Sequence, residues 1–230
     1  MEVKSAEDKA YKAIIRLILE QKYPPGSSLV EAQLAEDLGM SRTPIRSALR
    51  RLTTDGFLEN PFNRSCRVPK ISRKDLEKLF NLRLLMESHA AHEAAINASD
   101  ERKEEFEQLI EKERESYYTG DKNLYEINQQ IHFGIANLSD NPYLAGAIKP
   151  LFWRSELYVF FFDTFYVSNE RKPLLRDPDK SRSHREHKEL IRAIFSRAPE
   201  DAREIMKTHI LSTRKMLTTN ASFQKGFKEM

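Results

Sequence analysis

The stretch PGSSLVEAQLAEDLGMSRTPIRSALRRL, residues 25–52, reads as two short helices joined by a tight turn. Leu34, Ala35 and Leu38 put one apolar face on a helix over about 31–38. Gly39 follows where a helix end favours a left-handed residue, and Ser41 is a good N-cap for a second helix over roughly 42–55. Pro44 falls in the first turn of that helix, where its missing N–H costs nothing. Two helices around a glycine-containing turn are the helix-turn-helix unit, whose second helix lies in the DNA major groove. Outward from this stretch, Ala10, Ile14, Ile15, Leu17 and Ile18 predict a preceding helix over about 7–21, stopped by Tyr23-Pro24-Pro25-Gly26. Downstream, Gly56 ends the second helix, and residues 57–70 read as a β-hairpin with Arg64 and Arg67 near its polar tip. A basic hairpin after such a helix is a wing that touches phosphates or the minor groove.

The second helix has two unlike faces. Ile45, Ala48, Leu49 and Leu52 form an apolar stripe; Arg42, Arg46, Arg50 and Thr53 form another, about a third of a turn away. No acidic residue occurs between Asp37 and Asp55. An arginine face free of carboxylates suits a polyanion, and arginine can hold guanine O6 and N7 with two hydrogen bonds. The formal charge of +3 is distributed accordingly: residues 1–72 hold 12 Lys and Arg against 9 Asp and Glu, and residues 73–230 hold 26 of each. Other classes recede on composition. Cys66 is the single cysteine, which excludes an intramolecular disulfide and any CxxC metal or redox site. No apolar run reaches the length of a membrane span, and the charged N-terminus lacks a signal-peptide core. A cytoplasmic protein without membrane partners is expected.

Residues 25–52, and the run Ser-Arg-Thr-Pro-Ile-Arg followed by Ala-Leu-Arg-Arg-Leu above all, resemble the GntR family of bacterial transcriptional regulators. The resemblance implies that Ser41, Arg42, Thr43 and Arg46 sit where the family contacts double-stranded operator DNA, and that Asn63 and Arg64 match the wing tip. Two positions depart from the family pattern. Ser47 replaces a usual glutamate, and Ser65 replaces the glycine that usually follows Asn-Arg. A linker is expected at about 71–74, between a winged helix-turn-helix over 1–70 and a second domain over 75–220, with a tail to 230.

Beyond the linker the periodicity is helical over about 73–97, 100–119, 121–138, 141–165, 181–197 and 199–219, with a loop over 167–180. The fold class is mainly α: a winged helix-turn-helix followed by an antiparallel all-helical bundle. Asn128 and His132 are one turn apart beside the stripe Ile127, Ile131, Ile135 and Leu138. His187 lies on the stripe of Leu190, Ile191 and Ile194; His209 lies on that of Ile205 and Met216. Three helices thus point an imidazole inward, either as core histidines with their own partners or as nitrogen ligands of one metal. His184 reads as an outer partner or a surface residue, and His89 and His92 as solvent or pocket-edge positions. The charge run from Glu101 to Glu115 reads as a solvated face. The dense aromatics Trp153, Tyr158, Phe160, Phe161, Phe162, Phe165 and Tyr166 read as core, pocket wall or subunit interface.

Residues 75–219 resemble the FCD effector domain of the FadR-like branch of that family. The matching pieces are residues 79–87, Asn128-Gln129-Gln130-Ile131-His132, Glu186-His187 and Met206-Lys207-Thr208-His209. The resemblance implies one divalent ion (zinc, nickel or manganese) on Asn128, His132, His187 and His209, with asparagine where aspartate is usual. It also implies a small organic acid as effector, with Arg83 matching an arginine of the first effector-domain helix. A ligand-controlled repressor, a homodimer reading a near-palindromic operator, is the leading expectation. The charge reasoning points the same way. Three neutral imidazoles and an amide leave a divalent ion its full charge, which favours an anion at an open position. Two other readings remain open at this stage: a metalloregulator for which the ion is the signal, and a metal-dependent enzyme, which lacks a carboxylate base at motif spacing.

Overall fold

The structure, a computed structural model, describes residues 5–60, 65–121, 123–163 and 177–219. The chain divides into two compact units, Met1–Ser72 and Arg73–Met230.

The first unit packs three helices: α1 (Ala6–Leu19), α2 (Glu31–Asp37) and α3 (Arg42–Thr54). Ser5 starts α1 with a capping box, its hydroxyl accepting from the Asp8 N–H while the Asp8 carboxylate accepts from the Ser5 N–H. Gly39 adopts φ +60° after α2, the left-handed conformation that the turn requires. The α3 stripe Ile45, Ala48, Leu49 and Leu52 is buried, together with Ile14, Ile18, Phe57 and Val68. Full burial of each of these side chains larger than alanine contributes about 2 kcal/mol. Arg51 ties α3 to α1: its Nη1 is 2.8 Å from the Asp8 carboxylate, and its guanidinium lies 4.5 Å from the centroid of the Tyr11 ring.

The wing is more than a hairpin. β1 (Ser28–Leu29) pairs antiparallel with β2 (Cys66–Arg67), in register Ser28↔Arg67 and Leu29↔Cys66, while Glu59 bridges Arg67 from the other side. The segment after Pro24-Pro25-Gly26 therefore supplies a short strand that the two-residue spacing concealed. The wing-tip residues Asn63 and Arg64 lie outside the described residues.

The second unit comprises α4 (Arg73–Asn97), α5 (Lys103–Thr119), α6 (Leu124–Leu138), α7 (Pro142–Phe162), α8 (Arg182–Phe195) and α9 (Pro199–Thr219). Helix α4 is central and packs on α6, α7 and α9, while α8 packs on α5 and α9. Asn141 starts α7 by accepting from the Leu144 N–H at 3.0 Å, with Pro142 in the first turn. Gly134 lets α6 approach α5: a Cβ there would come within 2.7 Å of the buried Phe106 ring. Trp153, Tyr158, Phe160 and Phe162 of α7 are buried as core, whereas Phe165 and Tyr166 lie outside the described residues. Among the described residues no helix is long and apolar enough to cross a membrane.

Candidate functional site

Two surfaces bear chemistry, one in each unit. On α3, Ser41, Arg42, Thr43, Arg46 and Arg50 are all exposed. Ser41 occupies the N-cap position with extended backbone but makes no capping hydrogen bond with its side chain. Arg46 is held by Glu31 of α2, with Nε and Nη2 at 3.0 and 2.9 Å from one carboxylate oxygen. Both partners are substantially exposed, so the pair is weak and Arg46 is available to another acceptor. Arg50 and Arg51 are neighbours in sequence with different duties: Arg50 faces solvent, and Arg51 is spent on α1.

In the helical unit, α6, α8 and α9 bring His132, His187 and His209 together. One ring nitrogen of each lies within 4.8 Å of the others. Their ring centroids are 4.5 Å apart for His187 and His209, 5.2 Å for His132 and His209, and 5.4 Å for His132 and His187. All three are buried. Behind each stands a carboxylate at Nδ1: Glu87 at 2.6 Å from His132, Glu113 at 2.8 Å from His187 and Glu186 at 3.0 Å from His209. Glu113 also takes His184 Nδ1 at 3.0 Å, which makes His184 a buried outer partner. A carboxylate accepts from Nδ1–H and so fixes the tautomer that leaves Nε2 as a bare lone pair.

His187 Nε2 is buried and has no hydrogen-bond partner. Leaving such an atom unpaired costs about 1–3 kcal/mol, yet it sits beside two further imidazoles presented in the same way. This donor set fits a borderline divalent ion, and an ion on three Nε2 atoms would satisfy the orphan. The electrostatics agree. Burial holds His132 well below the ordinary imidazole value, and it lowers His209 likewise, helped by His187. Burial pushes Glu113 up, but His187 and His184 more than offset it and bring the carboxyl down to about 2. Burial is likewise outweighed at Glu87, by Arg83 and His132, and at Glu186, by His209 and Ser212. The outer groups are thus carboxylates, and His132 and His209 are held toward the neutral base.

A cavity of about 620 Å³ opens beside this centre, lined by His132, His209, Asn128, Arg83 and Glu156 among others. Asn128 stands one turn before His132, and its Nδ2 donates to Glu156 of α7 at 3.3 Å. Arg83 is buried; its guanidinium makes a two-point pair with Glu87 and donates to Ser155 Oγ at 2.6 Å. Glu156 is 2% exposed, and burial raises its carboxyl to about 7. His89 and His92 lie apart on α4 beside Glu93, and His92 also meets Glu200 at 3.2 Å.

Sequence reasoning found the three imidazoles and missed the carboxylates. Glu113 was within reach, because it shares the phase of the buried Phe106, Leu109, Ile110 and Tyr117. The charge run of α5 is therefore not wholly a solvated face. With Glu87, Glu113 and Glu186 present, the premise that a divalent ion would keep its full charge fails.

Residues 6–68 match the bacterial regulatory proteins of the gntR family, and residues 78–212 match the FCD domain. The HTH-type transcriptional regulator YdhC of Bacillus subtilis is 25% identical over 204 residues, covering 88% of this chain and 84% of its own. A relative from Paenarthrobacter nicotinovorans named "Probable D-xylose utilization operon transcriptional repressor" is 26% identical over 198 residues, covering 86% and 82%. The solved structure of Escherichia coli McbR/YncC superposes with a TM-score of 0.72 at 22% identity, over 94% of this chain and 98% of its own, a likeness of fold. With the FCD match alone spanning more than half its length, the chain belongs to the GntR family of bacterial transcriptional regulators, in the FadR-like branch with an FCD domain, and it is a regulator rather than an enzyme.

Proposed function

We propose that this regulator is a ligand-controlled, operator-binding repressor that acts as a homodimer on a near-palindromic site. Ser41, Arg42, Thr43, Arg46 and Arg50 face the major groove, and Asn63 and Arg64 of the wing face the DNA backbone or minor groove. His132, His187 and His209, with Asn128, hold one divalent ion; zinc, nickel and manganese are the candidates. The effector is a small metabolite whose carboxylate takes an open position on that ion, within the cavity that Arg83 lines.

The observation that carries the sensing half is His187 Nε2, a buried lone pair without a partner between two similarly presented imidazoles. Such a centre beside a cavity of about 620 Å³ has room for a metabolite. Repression is supported by the relative named as an operon repressor. The test starts with selection of an operator from a random DNA pool. Binding of that operator is then measured with chelator-treated and metal-loaded protein, with and without a panel of carboxylates. The reading expects metal uptake near one ion per chain, and operator release by a carboxylate only in the loaded form. Operator release by metal alone would make the ion the signal, and a protein that takes up no metal would overturn the centre.

A further inference from the structure

The cavity lining carries both signs of charge, with Lys180, Arg182 and Lys215 toward its rim and Glu156 on its buried wall. Five carboxylates are buried among the described residues of the helical unit, those of Glu87, Glu113, Glu156, Asp163 and Glu186, against one buried guanidinium, Arg83. Arg83 is matched by Glu87. Glu113 and Glu186 stand behind the histidines, where they balance a divalent ion. Glu156 belongs to neither grouping. It is fully buried on the cavity wall, and among the described residues the one hydrogen bond it receives comes from the neutral Asn128 amide at 3.3 Å. Asp163, at the end of the same helix, lines the same cavity. Arg83, committed to Glu87 and Ser155, offsets the burial of Glu156 only in part, and a ligand cation would complete the compensation.

We propose that Glu156 is the subsite for a protonated amine of the effector, and that the effector is an amino-acid-like zwitterion. Its carboxylate goes to the histidine centre, its ammonium donates to Glu156, and its carbon skeleton lies against Leu124, Val159 and Met216 of the cavity wall. Asn128 holds the Glu156 side chain toward the cavity from the neighbouring helix. A zwitterion matches a lining of mixed sign and gives Glu156 a partner, which a simple carboxylate does not. The inference rests on the metal-held carboxylate proposed above and adds the second anchor.

The test is calorimetric titration of the zinc-loaded full chain with matched triplets that differ only at Cα. Suitable sets are phenylalanine, phenyllactate and phenylpropionate; glutamate, 2-hydroxyglutarate and glutarate; and leucine with its hydroxy and deamino counterparts. At least one amino compound is expected to bind roughly tenfold or more tighter than both counterparts, the usual worth of a hydrogen bond to a charged group. Glu156→Gln, nearly isosteric, should erase that preference while leaving zinc content and the binding of the deamino compounds unchanged. If the glutamine variant fails to fold, Glu156→Asp, which withdraws the carboxylate by one methylene, should reduce the preference. A deamino compound that binds as tightly as its amino partner, no amino compound that binds at all, or a Glu156→Gln variant that weakens all three alike would each overturn the proposal. Binding that survives removal of zinc would instead strike the metal-held carboxylate, and the Glu156 contact would still be judged by its variant.

Discussion

Replacing Glu113 by glutamine probes the candidate metal centre without touching a candidate ligand. Glu113 accepts from His187 Nδ1 at 2.8 Å and from His184 Nδ1 at 3.0 Å, fully buried on α5. Glutamine offers one acceptor and one donor in the same space. One imidazole must then meet an N–H with an N–H, or switch tautomer and turn a protonated Nε2 outward. Loss of such an outer partner typically weakens metal binding by about 10–100-fold. At a free zinc concentration of about one hundred times the wild-type Kd, metal stabilises the folded chain by roughly 2.7 kcal/mol. The same zinc would then stabilise Glu113→Gln by only about 0.4–1.4 kcal/mol. For a chain of this size each kcal/mol moves Tm by about 2–4 °C, so the zinc-induced rise should be halved or worse. The assay pairs thermal melting, with and without chelator, with a competition titration against a zinc-binding dye. Glu105→Gln, on the solvent face of the same helix and paired with Arg102, is the control. A Glu113→Gln protein with wild-type zinc affinity would refute the role given to the carboxylate.

The remaining predictions concern the DNA face and acid stability. Arg42→Ala and Arg46→Ala should each cost about 1–3 kcal/mol of discrimination between operator and random DNA at matched salt; two variants that discriminate as well as wild type would remove α3 from base reading. Arg51→Ala should lower thermal stability and leave discrimination intact, because its partners are Asp8 and the Tyr11 ring; selective loss of operator preference would contradict that. The metal-free chain should lose stability as pH falls below about 6.5, since buried His132 and His209 resist protons that the unfolded chain accepts. Their contribution is complete above the unfolded value and declines by a little over about 1 kcal/mol per pH unit for each imidazole; urea midpoints that stay flat from pH 7 to pH 5 would rule it out.

The helices were legible because their punctuation is strong. Gly39, Pro44 and Gly56 bracket the two helices of the DNA-binding motif, and the stripe Ile45, Ala48, Leu49 and Leu52 follows one phase throughout. Helix α4 runs from Arg73 to Asn97, where its apolar pattern begins and ends. Strand β1 escaped notice because two residues cannot display alternation, and its pairing with β2 is a tertiary fact. At the candidate site, each imidazole betrayed itself by sitting on an apolar stripe. The carboxylates did not, because the partner of each histidine lies on another helix: Glu87 is 45 positions from His132, and Glu113 is 74 from His187. Periodicity within a helix says which way a side chain points and nothing about what it meets there. Arg83 shows the same limit, since its pairing with Glu87 is local in sequence while Ser155 is 72 positions away.

Asn128, the position that departs from the aspartate usual in the resembling family, belongs with Glu156 in one physical argument. A carboxylate at 128 would face the Glu156 carboxylate at hydrogen-bond distance, and two such groups cannot both stay ionised without a cation between them. Asparagine removes the conflict and turns it into a contact, its Nδ2–H donating to Glu156 at 3.3 Å. The charge absent from position 128 is also not needed at the histidines, because Glu87, Glu113 and Glu186 already stand behind them. On the proposed reading, the substitution leaves the Glu156 carboxyl on the cavity wall, on a different helix, in place to meet an effector amine rather than the ion.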